Sequence, residues 1–339
     1  MHKLNYYKKF PQMISAIQFL YKSIQPIEKF PIGPYETISL NSRRCYVFRP
    51  SKSKPKIILF VQGMTVRGID DIRLIKQCEI FRQLGYFVYL PHYPEIQNLD
   101  ITPNSIKNIT EDIKAIYQGN NQKMGIVSVS YSGGLSILAS SQEDVREYVD
   151  SLMIVGTFAH FKSMFEFLFL RKDIDPYGYF ILLKNFLKFV PKYNIQELIE
   201  AFNIAAVDDG LHRQPPLLNE HFSKYPHIQK IFSNLMEDLE LRKQILEQIF
   251  RNPFMEQLFQ EFDVFERIRY LKARMSLLHG RNDQVIPPSE SKLLFEECKK
   301  YQIPCKLTTT SLLDHGNIKF NLGVLEELLQ LIDTINFFL

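Results

Sequence analysis

The feature that most constrains this chain is a series of short apolar runs, each closed by glycine or proline and separated by stretches of helical periodicity. Lys56 to Val61, bounded by Pro55 and Gly63, has no polar alternation, as expected of a strand buried on both faces. Tyr86 to Leu90, Gly125 to Val129 and Ser151 to Val155 read as further strands, and Met275 to Leu278 and Cys305 to Thr309 complete the series. Between them, Ile72 to Leu84, Ile106 to Tyr117 and Gly133 to Ser140 read as helices. Such alternation predicts a mostly parallel sheet of about eight strands with helices on both faces. Glu36 to Leu40 and Cys45 to Arg49, joined by a turn at Asn41-Ser42, are expected as a meander at one edge.

The strand series is interrupted once. From His160 to Phe262 the chain is rich in Leu, Phe, Glu and Lys and is broken at Pro176, Pro191, Pro215-Pro216, Pro226 and Pro253. Several helices are expected there, and because strands resume afterwards the segment is an insert on the sheet. The expected organisation is an amphipathic N-terminal helix in residues 1–30, an α/β core in residues 31–159 and 263–339, and a helical cap in residues 160–262.

Composition excludes some functions. With 41 basic and 37 acidic residues the charge is near balance, so nucleic acid is not an expected partner. Cys45, Cys78, Cys298 and Cys305 form no CxxC pair, and His221 and His227 are poorly spaced for a metal on a helix. No metal, no cofactor and a reducing, cytoplasmic setting are expected. No run reaches the roughly 18 to 20 apolar residues of a membrane span. Tyr6, Phe10, Met13, Ile14, Ile17, Phe19, Leu20 and Tyr21 fall mostly at helical spacing. That helix either docks on its own domain or lies on a membrane surface as a peripheral contact.

The chemistry is carried by three loops. In Met124-Gly125-Ile126-Val127-Ser128-Val129-Ser130-Tyr131-Ser132-Gly133-Gly134 a buried strand runs into small residues and then a helix. A nucleophile displayed on a strained strand-to-helix turn needs small neighbours, here Ser128 and Ser132. Ser130 is the expected nucleophile; Ser132 would lie inside the helix start. In Leu277-Leu278-His279-Gly280-Arg281-Asn282-Asp283 a strand ends, a glycine turns, and a carboxylate follows at the sheet edge where ligands bind in open α/β folds. In Leu312-Leu313-Asp314-His315-Gly316 a histidine sits between a strand and a final helix, with Asp314 a competing acid. Each motif alone also fits an ordinary loop. Together, Ser then Asp then His, each just past a strand, is the chain order of one known triad architecture. His315 would take the Ser130 proton, and Asp283 would hold the imidazole tautomer. Acyl transfer also needs oxyanion donors, and the N–H groups of Met64, in the turn Val61-Gln62-Gly63-Met64-Thr65, and of Tyr131 are the candidates.

The chain resembles the α/β-hydrolase superfamily over about residues 36 to 335, with an inserted helical cap. Gln62-Gly63-Met64-Thr65 is similar to that family's His-Gly oxyanion turn, His279-Gly280-Arg281-Asn282-Asp283 followed by Pro287 to its acid loop, and Asp314-His315-Gly316 to its histidine loop. Gln62 replaces the customary His, and Ser128 and Ser132 replace the customary glycines. The resemblance implies a serine esterase or lysophospholipase-like carboxylic-ester hydrolase acting on a small-molecule or lipid-like ester. An amide or peptide hydrolase and a non-catalytic binding protein of the same fold are the alternatives. Gln62, Thr65, His92 and Tyr93 lie where substrate contacts are expected. The aromatic density from Phe161 to Leu170 and from Tyr177 to Leu183 is either the insert's own core or a lid over an apolar acyl pocket.

Overall fold

The computed structural model describes residues 4–51, 55–314, 317–318 and 325–339. Helix α1 (Leu4–Ile24) precedes an edge hairpin of β1 (Glu36–Leu40) and β2 (Arg43–Phe48). There follow β3 (Ile57–Val61), α2 (Ile72–Gln83), β4 (Phe87–Pro91), α3 (Pro94–Gln97), α4 (Asn104–Asn120), β5 (Met124–Val129), α5 (Tyr131–Ser140) and β6 (Val149–Val155). Helices α6 (Phe161–Leu170), α7 (Tyr177–Phe186), α8 (Gln196–Leu211), α9 (Leu218–Lys224), α10 (Pro226–Glu237), α11 (Leu239–Phe250) and α12 (Pro253–Glu261) form the insertion, and α13 (Val264–Arg267) follows it. The chain then returns to the sheet with β7 (Arg274–Gly280), α14 (Pro288–Lys300) and β8 (Cys305–Thr310), the short strands β9 (Leu313–Asp314) and β10 (Asn317–Ile318), and α15 (Leu325–Phe338).

The main sheet has eight strands in the order β1-β2-β4-β3-β5-β6-β7-β8. The β1–β2 and β2–β4 pairings are antiparallel and all the others parallel. Alternating side chains sort onto two faces. Ile58, Phe60, Val88, Leu90, Val127, Met153 and Leu278 pack with α1, α2 and α15 on one side. Ile57, Leu59, Val61, Ile126, Leu152, Ile154 and Leu277 face α4, α5 and α14 on the other, and that core continues into the insertion. Two-sided cover explains why these strands read as unbroken apolar runs.

Helix α1 buries Ala16, Phe19 and Leu20 in the core that α2 and α15 share, while Met13, Ile14, Ile17 and Tyr21 remain exposed. No helix among the described residues is long and apolar enough to cross a membrane. Most boundaries differ from the sequence expectation by a residue or two, and one such difference is informative. The helix expected from Gly133 begins at Tyr131, because Ser130 alone makes the turn out of β5.

Candidate active site

Strand order reverses between β3 and β5, since β4 lies on one side of β3 and β5 on the other. In open α/β sheets ligands bind at such a switch point, outside the carboxyl ends of the strands. In the β3–β5 ladder Val61 pairs with Ser128, so the turn after β3 and the turn after β5 emerge side by side.

Ser130 has φ 59° and ψ −136°, a region that non-glycine residues rarely occupy. Two backbone bonds hold it there: its N–H donates to Val155 O at 2.8 Å, and its carbonyl accepts from Gly133 N at 2.9 Å. The turn leaves Ser130 partly exposed, whereas Ser128 and Ser132 are fully buried. The hydroxyls of Ser128 and Ser132 have no hydrogen-bond partner among the described residues. These two serines act as small fillers. The tightest packing falls further on: a methyl group on Gly133 would sit 2.6 Å from Ile154 and Thr157, and one on Gly134 would sit 2.3 Å from the Phe158 ring. All ten residues of α5 are buried, with β6 and Phe158 against its glycine face.

Asp283 is buried in the turn after β7. Its Oδ1 accepts from Val285 N at 2.8 Å and Ile286 N at 3.0 Å. Its Oδ2 faces Gly156 at the end of β6, where an added Cβ would approach to 3.3 Å. Gly156 has φ +62°, so both the space and the conformation favour glycine there. The neighbouring His279 is a strut: its Nε2–H donates to Ile286 O at 2.9 Å, and its Nδ1 accepts from Ser291 Oγ at 2.6 Å. Gly280 brings the backbone of Leu313 close, since a Cβ there would meet Leu313 O at 2.7 Å. The chain leading into the histidine loop therefore runs against the acid loop. His315 itself lies outside the described residues.

On the other side, Gly63 crosses the end of β5, its Cβ position 3.5 Å from Val129 O. Met64 and Ser130 thus stand on adjacent loops. Gln62 is fully buried and donates from Nε2 to Tyr93 O at 3.3 Å, while Tyr93 is fully buried beneath the Arg43 guanidinium, 5.6 Å from its ring centre. Burial pushes the phenols of Tyr93 and Tyr131 well above their ordinary range, so both are neutral. Thr65 shapes the turn, its Oγ1 accepting from Arg67 N at 3.3 Å and its carbonyl from Gly68 N at 3.0 Å. His92 bonds through Nε2 to the Gln97 side chain, whose Nε2 in turn donates to Val66 O at 3.1 Å. These four side chains hold the turn and its surroundings.

Three residues beyond the expected site residues matter here. Tyr177 of α7 donates to Met64 O at 3.3 Å. Gln97 braces Val66 from the core. Glu290, buried at the start of α14, accepts from Ala159 N at 2.8 Å, His160 N at 3.0 Å and Ser163 Oγ at 2.7 Å, and so anchors the first turn of the insertion. Each acts across a long sequence separation that no local pattern encodes.

Phe161, Phe165, Phe169, Tyr179 and Phe186 pack on one another inside the insertion and are buried there. A cleft of about 550 Å³ lies beside the turn after β3, its wall mixing Val66, Ile199 and Val207 with Lys184, Glu200 and Asn203. Among the described residues no group of three or more His, Cys, Asp or Glu side chains is placed to hold a metal ion.

No protein-family model matches the sequence, and no curated protein matches it. Among solved structures the chain is similar to the acylaminoacyl peptidase of Pyrococcus horikoshii, with a TM-score of 0.50 and 12% identity over 85% of this chain and 39% of that one. A puromycin-hydrolyzing peptidase of Mycobacterium tuberculosis gives a TM-score of 0.50 and 14% identity over 91% of this chain and 39% of that one. Esterase 2 of Thermogutta terrifontis gives a TM-score of 0.49 and 14% identity over 91% and 94% of the two chains. The chain spans 39% of the length of each of the two peptidases, and the likeness is one of fold.

Proposed function

We propose that this chain, an α/β-hydrolase by fold, is a serine hydrolase that cleaves carboxylic esters through an acyl-enzyme. Ser130 attacks the carbonyl, and His315 takes its proton and returns it to the leaving alcohol. Asp283 holds the imidazole, and the N–H groups of Met64 and Tyr131 receive the oxyanion. Water then repeats the sequence on the acyl-enzyme. The observation that carries this reading is the backbone of Ser130, held at φ 59° between β5 and the buried helix α5. A strained non-glycine residue in that position is costly, and it presents a hydroxyl at the switch point of the sheet.

The ester reading is preferred with an apolar acyl group of modest length. Phe165, Phe169, Tyr179 and Phe186 of the insertion are committed to its own core, and the cleft beside the turn has a mixed wall. The peptidase names among the similar structures make amide cleavage the second reading.

Labelling by a fluorophosphonate, together with turnover of p-nitrophenyl esters of graded chain length, tests the proposal. Wild-type protein should be labelled on Ser130 and should hydrolyse the shorter esters fastest. Absence of both label and turnover would leave a binding protein of the same fold. A peripheral membrane contact through α1 is a separate proposal, supported by the exposed Met13, Ile14, Ile17 and Tyr21. Co-sedimentation with phosphatidylglycerol vesicles, abolished by Ile14→Glu with Ile17→Glu, would bear it out.

A further inference from the structure

We infer that Tyr177 is a positioning residue that ties the seating of the helical insertion to the assembly of the oxyanion hole. The inference rests on the serine-hydrolase reading and goes beyond it, because it gives the insertion a part in catalysis.

The turn after β3 is held from both sides. From the core, Gln97 donates to Val66 O at 3.1 Å and is itself bonded to His92. Gly68 makes room for that amide: with φ +55°, its Cβ position would fall 2.4 Å from Gln97 Oε1. From the insertion, the Tyr177 hydroxyl donates to Met64 O at 3.3 Å, and Leu211 O accepts from the Arg67 guanidinium at 3.3 Å. The Tyr177 ring is wedged beside Gly210, whose Cβ position lies 3.4 Å from the ring and 3.1 Å from Val66. A side chain at Gly210 would push the wedge off the turn. The start of α7 is fixed in turn by Asp175, which accepts the Tyr177 N–H at 2.9 Å. Burial pushes the Tyr177 phenol well up, so at neutral pH it keeps its proton and donates.

The geometry matters because of what Met64 is proposed to do. Its N–H and its carbonyl belong to consecutive peptide planes. A bonded Met64 carbonyl fixes the plane on one side of the Met64 Cα, which narrows the backbone angles open to Met64 and so the directions its N–H can take. With the insertion seated, Tyr177 holds the Met64 carbonyl and the N–H stays aimed. With the insertion lifted, that carbonyl turns to water and the donor loses its preorganisation, which is where an oxyanion hole draws its strength. Closure over substrate thus completes the catalytic constellation as well as excluding water.

The test is Tyr177→Phe, which keeps the ring and removes only the hydroxyl. One neutral hydrogen bond contributes about 1 kcal/mol, so kcat and the rate of fluorophosphonate labelling should each fall about fivefold to tenfold. KM should change by less than about twofold, since the contact is to the protein and not to substrate. In chemical unfolding the variant should lose no more than about 1 kcal/mol of stability, which leaves it fully folded at the assay temperature and separates positioning from a loss of fold. Unchanged kcat and labelling in the variant, with Ser130 of the wild type labelled, would overturn the inference and leave the hydrolase reading standing. A rise in KM at constant kcat would overturn it in favour of direct substrate contact. A wild type that takes no label would remove the hydrolase reading and the inference together.

Discussion

His160 and Asp263 pair as an isolated antiparallel bridge, with His160 Nδ1 at 3.7 Å from Asp263 Oδ1. Everything between them is the helical insertion, so this one bridge joins its entry to its exit. The Asp263 contact raises the His160 pKa above 6.5 against the opposing effect of burial. Burial alone would raise Asp263, but His160 and the N–H groups of Glu266 and Phe265 outweigh it and hold the carboxyl below 3.8.

The signs give a pH window for the hinge. The His160 contribution is complete below 6.5 and is lost as pH rises through its raised value. The Asp263 contribution is complete above 3.8 and is lost as pH falls through its lowered value. The junction should be tightest between 3.8 and 6.5 and loosen toward pH 8. Limited proteolysis near residues 160 and 263 should therefore be slower at pH 5.5 than at pH 8, and His160→Asn should level the two rates.

Removing the anchor of the same junction should cost stability outright. Glu290→Ala would strip the acceptor from the buried N–H groups of Ala159 and His160. The expected loss is about 2 to 3 kcal/mol in a urea titration. Glu290→Gln, which keeps an acceptor oxygen, should recover part of it. Equal midpoints for all three proteins would show that the contact contributes nothing.

The two candidate acids separate by substitution. Asp283→Asn keeps an oxygen for the Val285 and Ile286 N–H groups, so the fold should survive while ester turnover falls by roughly 10³ to 10⁴. Asp314→Asn should cost far less. Ser130→Ala should abolish turnover, and Ser132→Ala should not, because Ser132 is enclosed within α5. A crippled Asp314→Asn beside a mild Asp283→Asn would reverse the assignment of the acid.

Glycines in helices offer a contrast in packing. A methyl on Gly134 would lie 2.3 Å from the Phe158 ring, so Gly134→Ala should destabilise by about 1 to 3 kcal/mol through overpacking. Gly119, in α4, has nothing within 4 Å of its Cβ position. Gly119→Ala should stabilise by up to about 1 kcal/mol through the helix propensity of alanine. Denaturant midpoints moving in opposite directions would bear this out.

The strand series was most legible at β3 and β4, which are buried throughout and carry apolar runs with no polar interruption, and least so at β8, which is mostly half-buried and carries Lys306 and three threonines. The turn at Ser130 was legible for a related reason: only small residues fit between β5, α5 and β6. The serines flanking Ser130 are the expected small positions, and Gly133 and Gly134, which extend that small patch in the sequence, make the closest approach, where the helix meets Ile154, Thr157 and Phe158. The insertion's aromatic density left a lid lining and a private core both open, since composition alone does not say which way a ring points. Tyr177 was legible only as part of that density, and Glu290 had no signature at all. A tyrosine that starts a helix and a glutamate in the first turn of another are ordinary locally, and their importance arises only from what folding sets against them. His315, the base of the triad read from the sequence, lies outside the described residues.

The complete burial of α5 has an electrical consequence. Its aligned peptide dipoles turn their positive end toward the partly exposed Ser130, and the ten residues of the helix body behind that end are enclosed. On a fully exposed helix, dissolved salt would damp such a field within a Debye length of about 8 to 10 Å; along the buried length of α5 it persists. A negative charge that develops on an acyl group at Ser130 would therefore meet a potential only weakly dependent on ionic strength. For a neutral ester, kcat should stay level from dilute buffer to about 1 M salt, where the Debye length is roughly 3 Å and pairs such as Arg171–Asp173 at the surface are screened away.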